Sequence, residues 1–261
     1  MRTALLLVLL GVSAAGCGSI PVRHAATAHR RARHHAVVHY VRDHHMPVPI
    51  LEYHVIGLHA LGSPLEGLYV TPVELRDQVA WLARNHWHTV SLGALARFWR
   101  RGVALPRKPI VLSFDDGYPG DWQYALPILR ARHFAGVLNL QIGNLVPKRV
   151  RALIHAGWEI DAHTFTHPDL RGVDSSRLRR EVTGARHWLQ RTYGIGVPAF
   201  CYPFGFYDSR TVAAVERAGY TVAETERQGW ASPAQGLFTL DRIRITPTTG
   251  VSGLAAWLRA S

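Results

Sequence analysis

The stretch Val111–Gly117, VLSFDDG, opens as a buried strand and ends on two adjacent carboxylates, Asp115 and Asp116. Like charges side by side at the edge of a core repel, so the pair requires either a cation nearby or full solvation. Gly117 lets the backbone turn, and both carboxylates can then enter one pocket from different directions. That geometry suits a division of labour, with one carboxylate on a metal ion and the other free as a base. Asp-Asp-Gly is also ordinary turn chemistry, and alone it does not separate the two readings.

A second stretch, HTFTHP, runs from His163 to Pro168. Imidazoles at i and i+4 lie on one face of a helical turn, can converge on one cation, and have a spacing common at zinc sites. This pair directly follows an apolar strand, just as the aspartates do. Two histidines and one aspartate make a facial triad with open positions for water and substrate. A cation held there also offsets the repulsion between the carboxylates. Cys17 and Cys201 are the only cysteines, too few for a thiolate zinc site, so the ligands are histidines and carboxylates.

These residues need a frame that brings them together. Apolar strands are expected at PILEYH, HTVSL, KPIVLSF, AGVLNLQI, WEIDAH, AFCYPFG, YTVAETE and LDRIRI. Between or after them, a helix is expected in TPVELRDQVAWLARNHWHTV, with Thr71 and Glu74 as a capping box and Leu75, Val79, Leu82 and Ala83 as its apolar stripe, and others over 92–101, 124–132, 150–156, 175–193, 209–218 and the final GLAAWLRAS. Such alternation predicts an α/β fold with a mainly parallel sheet. In these folds active groups collect at the C-terminal ends of strands. His54, Asp115-Asp116, His163 and the Pro203-Phe204-Gly205 turn all stand at such ends.

SFDDG followed by HTFTH resembles the signature of the polysaccharide deacetylases, the NodB-homology group of carbohydrate esterases. The likeness runs from about Pro47 to Ile245 and includes LPRKPIVLSFDDGYPGDWQYALPIL, AGWEIDAHTFTHPDL and FCYPFGFYD. It implies a distorted (β/α) barrel of about seven strands. It also implies a divalent cation, usually zinc, on Asp116, His163 and His167, with Asp115 as catalytic base. Phe204 occupies the place where the family's turn supplies a backbone N–H to the oxyanion, with Tyr202 beside it at the substrate. Trp230, in QGW, resembles the aromatic residue of the substrate groove. Two departures stand out. Cys201 replaces the arginine that orients the base, and reads as a small buried packing residue; Arg242 or Arg244 could supply the missing cation. The C-terminal Leu-x-His, whose histidine is the general acid, is absent. Some extracellular deacetylases of poly-N-acetylglucosamine look circularly permuted, with that strand at the front, and His54 in PILEYH fits them as the acid. The implied reaction is metal-dependent hydrolysis of N-acetyl groups on N-acetylglucosamine in a cell-surface polysaccharide. An O-acetyl glycan esterase and a non-catalytic glycan-binding protein remain the alternatives.

Length and charge set the outer bounds. The 261 residues are 48% hydrophobic, enough for one catalytic domain over 47–261. Formal net charge is +12, nearly all from arginine, since Lys108 and Lys148 are the only lysines. This favours an anionic partner such as a wall polymer or lipid surface, or reflects the composition of the genome. No nucleic-acid-binding motif is present, and no nucleic acid is expected. Residues 1–20 read as a signal peptide, with an apolar run from Ala4 to about Val12. Ala14-Ala15-Gly16-Cys17 resembles a lipobox, although leucine is commoner at Ala14. It implies export as a lipoprotein attached to the membrane through Cys17; ordinary cleavage near Ala15 is the alternative. Residues 21–46 are a basic linker holding seven of the sixteen histidines, read as a solvated tether.

Overall fold

The computed structural model describes residues 40–58, 62, 65–144 and 146–259. The expected signal peptide, the lipobox and most of the basic linker lie outside the described residues. Seven parallel strands form a closed barrel: β1 (Ile50–Tyr53), β2 (Pro109–Asp115), β3 (Val137–Leu140), β4 (Glu159–Ala162), β5 (Ala199–Cys201), β6 (Val222–Gln228) and β7 (Leu240–Arg244). Neighbours follow chain order around the ring, and β7 pairs with β1 to close it, Ile243 opposite Leu51. Only two residues of the expected HTVSL strand pair, His88–Thr89, and they lie outside the ring against Pro109 and Ile110.

Helices α1 (Pro72–Arg84), α2 (Leu92–Arg101), α3 (Leu126–Arg130), α4 (Pro147–His155), α5 (Ser175–Arg179), α6 (Ala185–Tyr193), α7 (Ser209–Arg217) and α8 (Gly250–Arg259) complete the domain. A π-helical turn, Arg180–Gly184, joins α5 to α6 in one rod, as the single expected helix over 175–193 required. The Thr71–Glu74 capping box forms, and Leu75, Val79 and Leu82 are buried. Strict alternation fails once. Between β6 and β7 the chain makes only a 3-10 turn, Pro233–Gln235, after Ala231 pairs with Val48.

Strand periodicity sorts the side chains. Leu51, Leu112, Phe114, Leu138, Ile160, Phe200 and Ile243 point outward into the shell of helices. Ile50, Val111, Val137, Ala199, Val222 and Leu240 form an apolar layer inside the barrel at the start of the strands. Helix α2 seals that end, where Leu92, Leu95, Phe98 and Trp99 pack on the layer. We call this end the base. Above it the barrel interior is polar and buried: Glu52, Ser113, Asn139, Asp161, Cys201, Glu224 and Arg242.

Candidate active site

At the mouth of the barrel, β2 ends on Asp115 and the next residue turns sharply. Asp116 has φ 73°, and Gly117 follows at φ 86°. This left-handed pair sends both carboxylates into one pocket. At Gly117 a Cβ would also lie 2.7 Å from Leu140 Cδ1. The two imidazoles come from the loop after β4. Contrary to the helical-turn expectation, His163 to His167 is not helical. Thr164 (φ 67°) and His167 (φ 54°) are left-handed instead, and they fold the second ring back over the first. Such backbone costs about 1–3 kcal/mol per residue and collects at functional sites.

The Nε2 atoms of His163 and His167 lie 3.0 Å apart, and Asp116 Oδ1 is 3.4 and 3.6 Å from them. Asp116 Oδ1 is buried with no hydrogen-bond partner. Two imidazole nitrogens so close either share a proton or converge on a cation. The orphaned carboxylate oxygen facing both fits the cation, as does the tautomer: His163 Nδ1 lies 2.8 Å from the Cys201 carbonyl, to which it donates, leaving the Nε2 lone pair free. Burial and the neighbouring His163 push His167 toward its neutral form, which is the ligating one.

Asp115 is buried beneath this cluster. Its Oδ1 accepts from Asn139 Nδ2 (2.8 Å) and Arg242 Nη1 (3.0 Å), and its Oδ2 lies 2.9 Å from Arg242 Nη2. Burial works to raise its pKa, but Arg242, His54 and His163 together outweigh burial and hold it well below the usual carboxylate range. His54, at the end of β1, stands with Nε2 3.8 Å from Asp115 Oδ2 and Nδ1 3.7 Å from Glu52 Oε1. Glu52 is shared by Arg242 (3.3 Å) and Arg244 (2.8 Å). Arg242 is therefore the cation at the base position. It reaches Asp115 from β7, across the barrel from the cysteine where the resemblance expects an arginine. Cys201 is fully buried, its Sγ 3.6 Å from Asp115 Oδ2, and burial pushes its thiol up.

Residues 102–223 match the family model for polysaccharide deacetylase. The chain carries a polysaccharide deacetylase domain over just under half of its length. It is 26% identical over 219 residues to the Bacillus subtilis (strain 168) protein YxkH, named as a polysaccharide deacetylase, covering 82% of this chain and 76% of that one. It is 36% identical over 123 residues to the poly-β-1,6-N-acetyl-D-glucosamine N-deacetylase of Escherichia coli (strain K12), covering 46% of this chain but 18% of that one. The barrel is similar to the Streptococcus pyogenes deacetylase PplD in complex with acetate, with a TM-score of 0.75 and 27% identity over 81% of this chain and 98% of that one. The deacetylase family is metal-dependent, and the Asp116–His163–His167 group is one that could hold an ion.

The other expected residues of this deacetylase divide. Phe204 joins the cluster. Its ring meets His167 edge-on at 4.5 Å, and its φ of 56° turns the backbone so that, among the described residues, its N–H has no acceptor. Gly205 permits the same turn, since a Cβ there would fall 2.6 Å from the Glu226 nitrogen. Tyr202 does not line a groove: it is fully buried between Phe200 and Tyr207 on the outer side of β5. Trp230 is at the wrong end. It packs against Trp87, donates to the Trp257 carbonyl and lines a cleft shared by Pro49 and Pro109, which stand where β1 and β2 begin. The return of the chain from β6 without a helix carries it there. Phe206, missed by the motifs, is 45% exposed next to Phe204, with Arg171 over its ring. Glu52, Asn139 and Glu224 were missed too. Their signal is a polar residue at an inward position of a short buried strand.

Proposed function

We propose that this deacetylase hydrolyses the N-acetyl group of N-acetylglucosamine units in a cell-surface polysaccharide, releasing acetate. The observation that carries the reading is the orphaned Asp116 Oδ1 facing two convergent Nε2 atoms, directly above a buried, charge-paired Asp115. Asp116, His163 and His167 would hold one divalent ion, zinc by the nitrogen-rich ligand set. When bound, such an ion supplies Lewis acidity to water and to a carbonyl oxygen. Asp115, kept ionised by Arg242, accepts the proton of the attacking water as the new C–O bond forms. The Phe204 N–H donates to the developing oxyanion; losing one such donor typically costs about 3 kcal/mol. His54 donates its proton to the departing nitrogen as the C–N bond breaks, leaving acetate and a free amine. The exposed faces of Phe204 and Phe206 support a saccharide substrate, since rings beside the cluster offer a flat apolar platform to a sugar.

The polymer class rests on the name of the Escherichia coli relative. Residues 1–20 support export, with attachment at the outer face of the membrane through Cys17 or release as a secreted protein. The test is acetate release from poly-N-acetylglucosamine, peptidoglycan and chitin oligomers, before and after chelation, with zinc and other ions added back. Release that stops on chelation and returns with metal supports the reading. Release from O-acetylated glycans alone replaces it with an esterase.

A further inference from the structure

The base of the barrel has a character of its own. The helices return the chain from the mouth to the base, so their C-termini gather there. Arg84, Arg130 and Arg217 each end a helix, where the dipole favours a cation. A helix C-terminus carries about half a negative charge, so each full positive charge leaves an excess. Helix α2, which plugs the base, adds Arg97, Arg100 and Arg101 on one outward face at i, i+3 and i+4 spacing. These three line a cleft of about 310 Å³ with Pro198 and Thr221, and no carboxylate lines it. The neighbouring cleft of about 400 Å³ holds Arg107, Lys108 and Arg259 beside Trp81, Trp87 and Trp230, again with no carboxylate. Among the described residues, none of these six cations pairs with an acid. Trp257 is 38% exposed at the same end. The chain enters here too, where Tyr40–Val41 pairs with Leu105–Pro106. In sequence, residues 21–39 hold Arg23, Arg30, Arg31 and Arg33 and no acid.

We propose that the base of the barrel docks on an anionic phospholipid membrane, with the Asp116–His163–His167 cluster facing away. Charge complementarity favours a phosphate-rich partner. Trp257, the exposed indole at this end, favours a bilayer over a soluble polyanion, because exposed indole rings settle at the headgroup level.

The full-length protein is tested by co-sedimentation with vesicles of phosphatidylcholine alone and with added phosphatidylglycerol, at low and high salt. The phosphatidylcholine arm subtracts insertion by the apolar residues near the N-terminus. Binding is expected only with phosphatidylglycerol, weakening as salt rises. Each basic residue near an anionic surface is worth roughly a fivefold change in partitioning, so combined Arg97→Gln, Arg100→Gln and Arg101→Gln should lower it by on the order of 100-fold. Combined Arg107→Gln and Arg259→Gln should lower it by about 25-fold on the same basis, and keeps the test valid should the first variant misfold. Removing three cations from the mouth side, Lys148→Gln, Arg177→Gln and Arg179→Gln, should change it little. Equal losses from mouth and base variants, no loss from either base variant, or equal binding to both vesicle types would overturn the proposal. So would full displacement by soluble polyglycerol phosphate, which would make the partner a phosphate polymer. Acetate release should be unchanged in both base variants, so this outcome is independent of the catalytic reading.

Discussion

Replacing Arg242 with methionine tests the charge arrangement under the active site. The guanidinium makes one hydrogen bond to Asp115 Oδ1 at 3.0 Å and ion-pair contacts with Asp115 Oδ2 at 2.9 Å and Glu52 at 3.3 Å, all fully buried. Removing it leaves Asp115 buried without its guanidinium partner and leaves Glu52 with Arg244 alone. Breaking a buried pair in this way costs about 3–5 kcal/mol, a large part of the roughly 5–15 kcal/mol that holds a domain folded. The sign of the pH effect follows from the same contacts. With Arg242 in place Asp115 has a folded-state pKa below its usual value, and it stabilises the fold above about pH 4, less so as acid protonates it. Without Arg242, burial is opposed only by the two histidines and the Asn139 hydrogen bond, so the pKa climbs and the ionised fraction at neutral pH falls. The expected result is a lower urea midpoint, a 10–100-fold loss of kcat, and an acid limb of kcat/KM against pH moved to higher pH. Arg242→Lys should keep the charge and most of the acid limb but lose the two-pronged geometry, and with it part of kcat. Cys201→Arg added to Arg242→Met should restore part of the activity, because Cys201 Sγ already lies 3.6 Å from Asp115 Oδ2. A methionine variant with the wild-type urea midpoint and an unshifted acid limb would refute the reasoning.

Four further outcomes are expected. Asp115→Asn should bind metal as wild type does, by elemental analysis, while turnover nearly disappears; metal loss would mean the two aspartates share the ion. His54→Ala should slow acetate release by orders of magnitude with unchanged metal content, and near-normal turnover would remove His54 from the mechanism. Asp116→Asn and His163→Ala should each lower metal content together with activity, read by titration with a zinc indicator. Burial pushes Glu224 up to about 7 from its ordinary 4.5, so its neutral form favours the folded state. That contribution is fully present below pH 4.5 and lost as pH rises through 7. The difference amounts to about 3 kcal/mol, and urea midpoints of Glu224→Gln across this range should fall less steeply than those of the wild type.

The sequence carried the chemistry of the mouth because three ligands and a base lie in two short segments next to apolar strands. The two strand ends point the same way whatever the barrel's details, so Asp116, His163 and His167 stand at one end of any parallel sheet that holds both strands, here with β3 between them. How the histidines meet was not legible. The i, i+4 spacing suggested a helical turn, whereas left-handed Thr164 and His167 do the work, and neither residue type announces positive φ. Trp230 was misplaced for a similar reason. Two consecutive parallel strands normally imply a crossover helix that returns outside the barrel. The segment after β6 returns as an extended strip instead, pairing Ala231 with Val48, and takes the indole to the base. Tyr202 alternates outward after Cys201, so the period of two that buries the cysteine beside Asp115 removes the tyrosine from the site. Arg242 was one of two arginines within reach. Strand alternation in LDRIR sends both inward, and only the depth of each along β7 separates the one on Asp115 from the one on Glu52.

Depth also explains why a barrel would carry so many buried charges. Three inward carboxyls, Glu52, Asp115 and Glu224, act on one fully buried guanidinium, and a fourth, Asp161, acts on Glu224. They cannot all ionise in such a space. Burial pushes Asp161 and Glu224 up, and Glu52 is raised despite its two arginines. Asp115 alone, held by both prongs of Arg242 and flanked by His54 and His163, is driven the other way. Carboxyls raised in this way compete less for Arg242, which leaves more of its positive charge to Asp115. Environments that push neighbouring carboxyls apart in this manner separate a base from its surroundings at one pH. The polar layer therefore acts as a charge filter beneath the mouth. It delivers one reliably ionised oxygen pair to the side of the pocket where His54 can stand opposite, and leaves Asp116, one residue further along, to the cation.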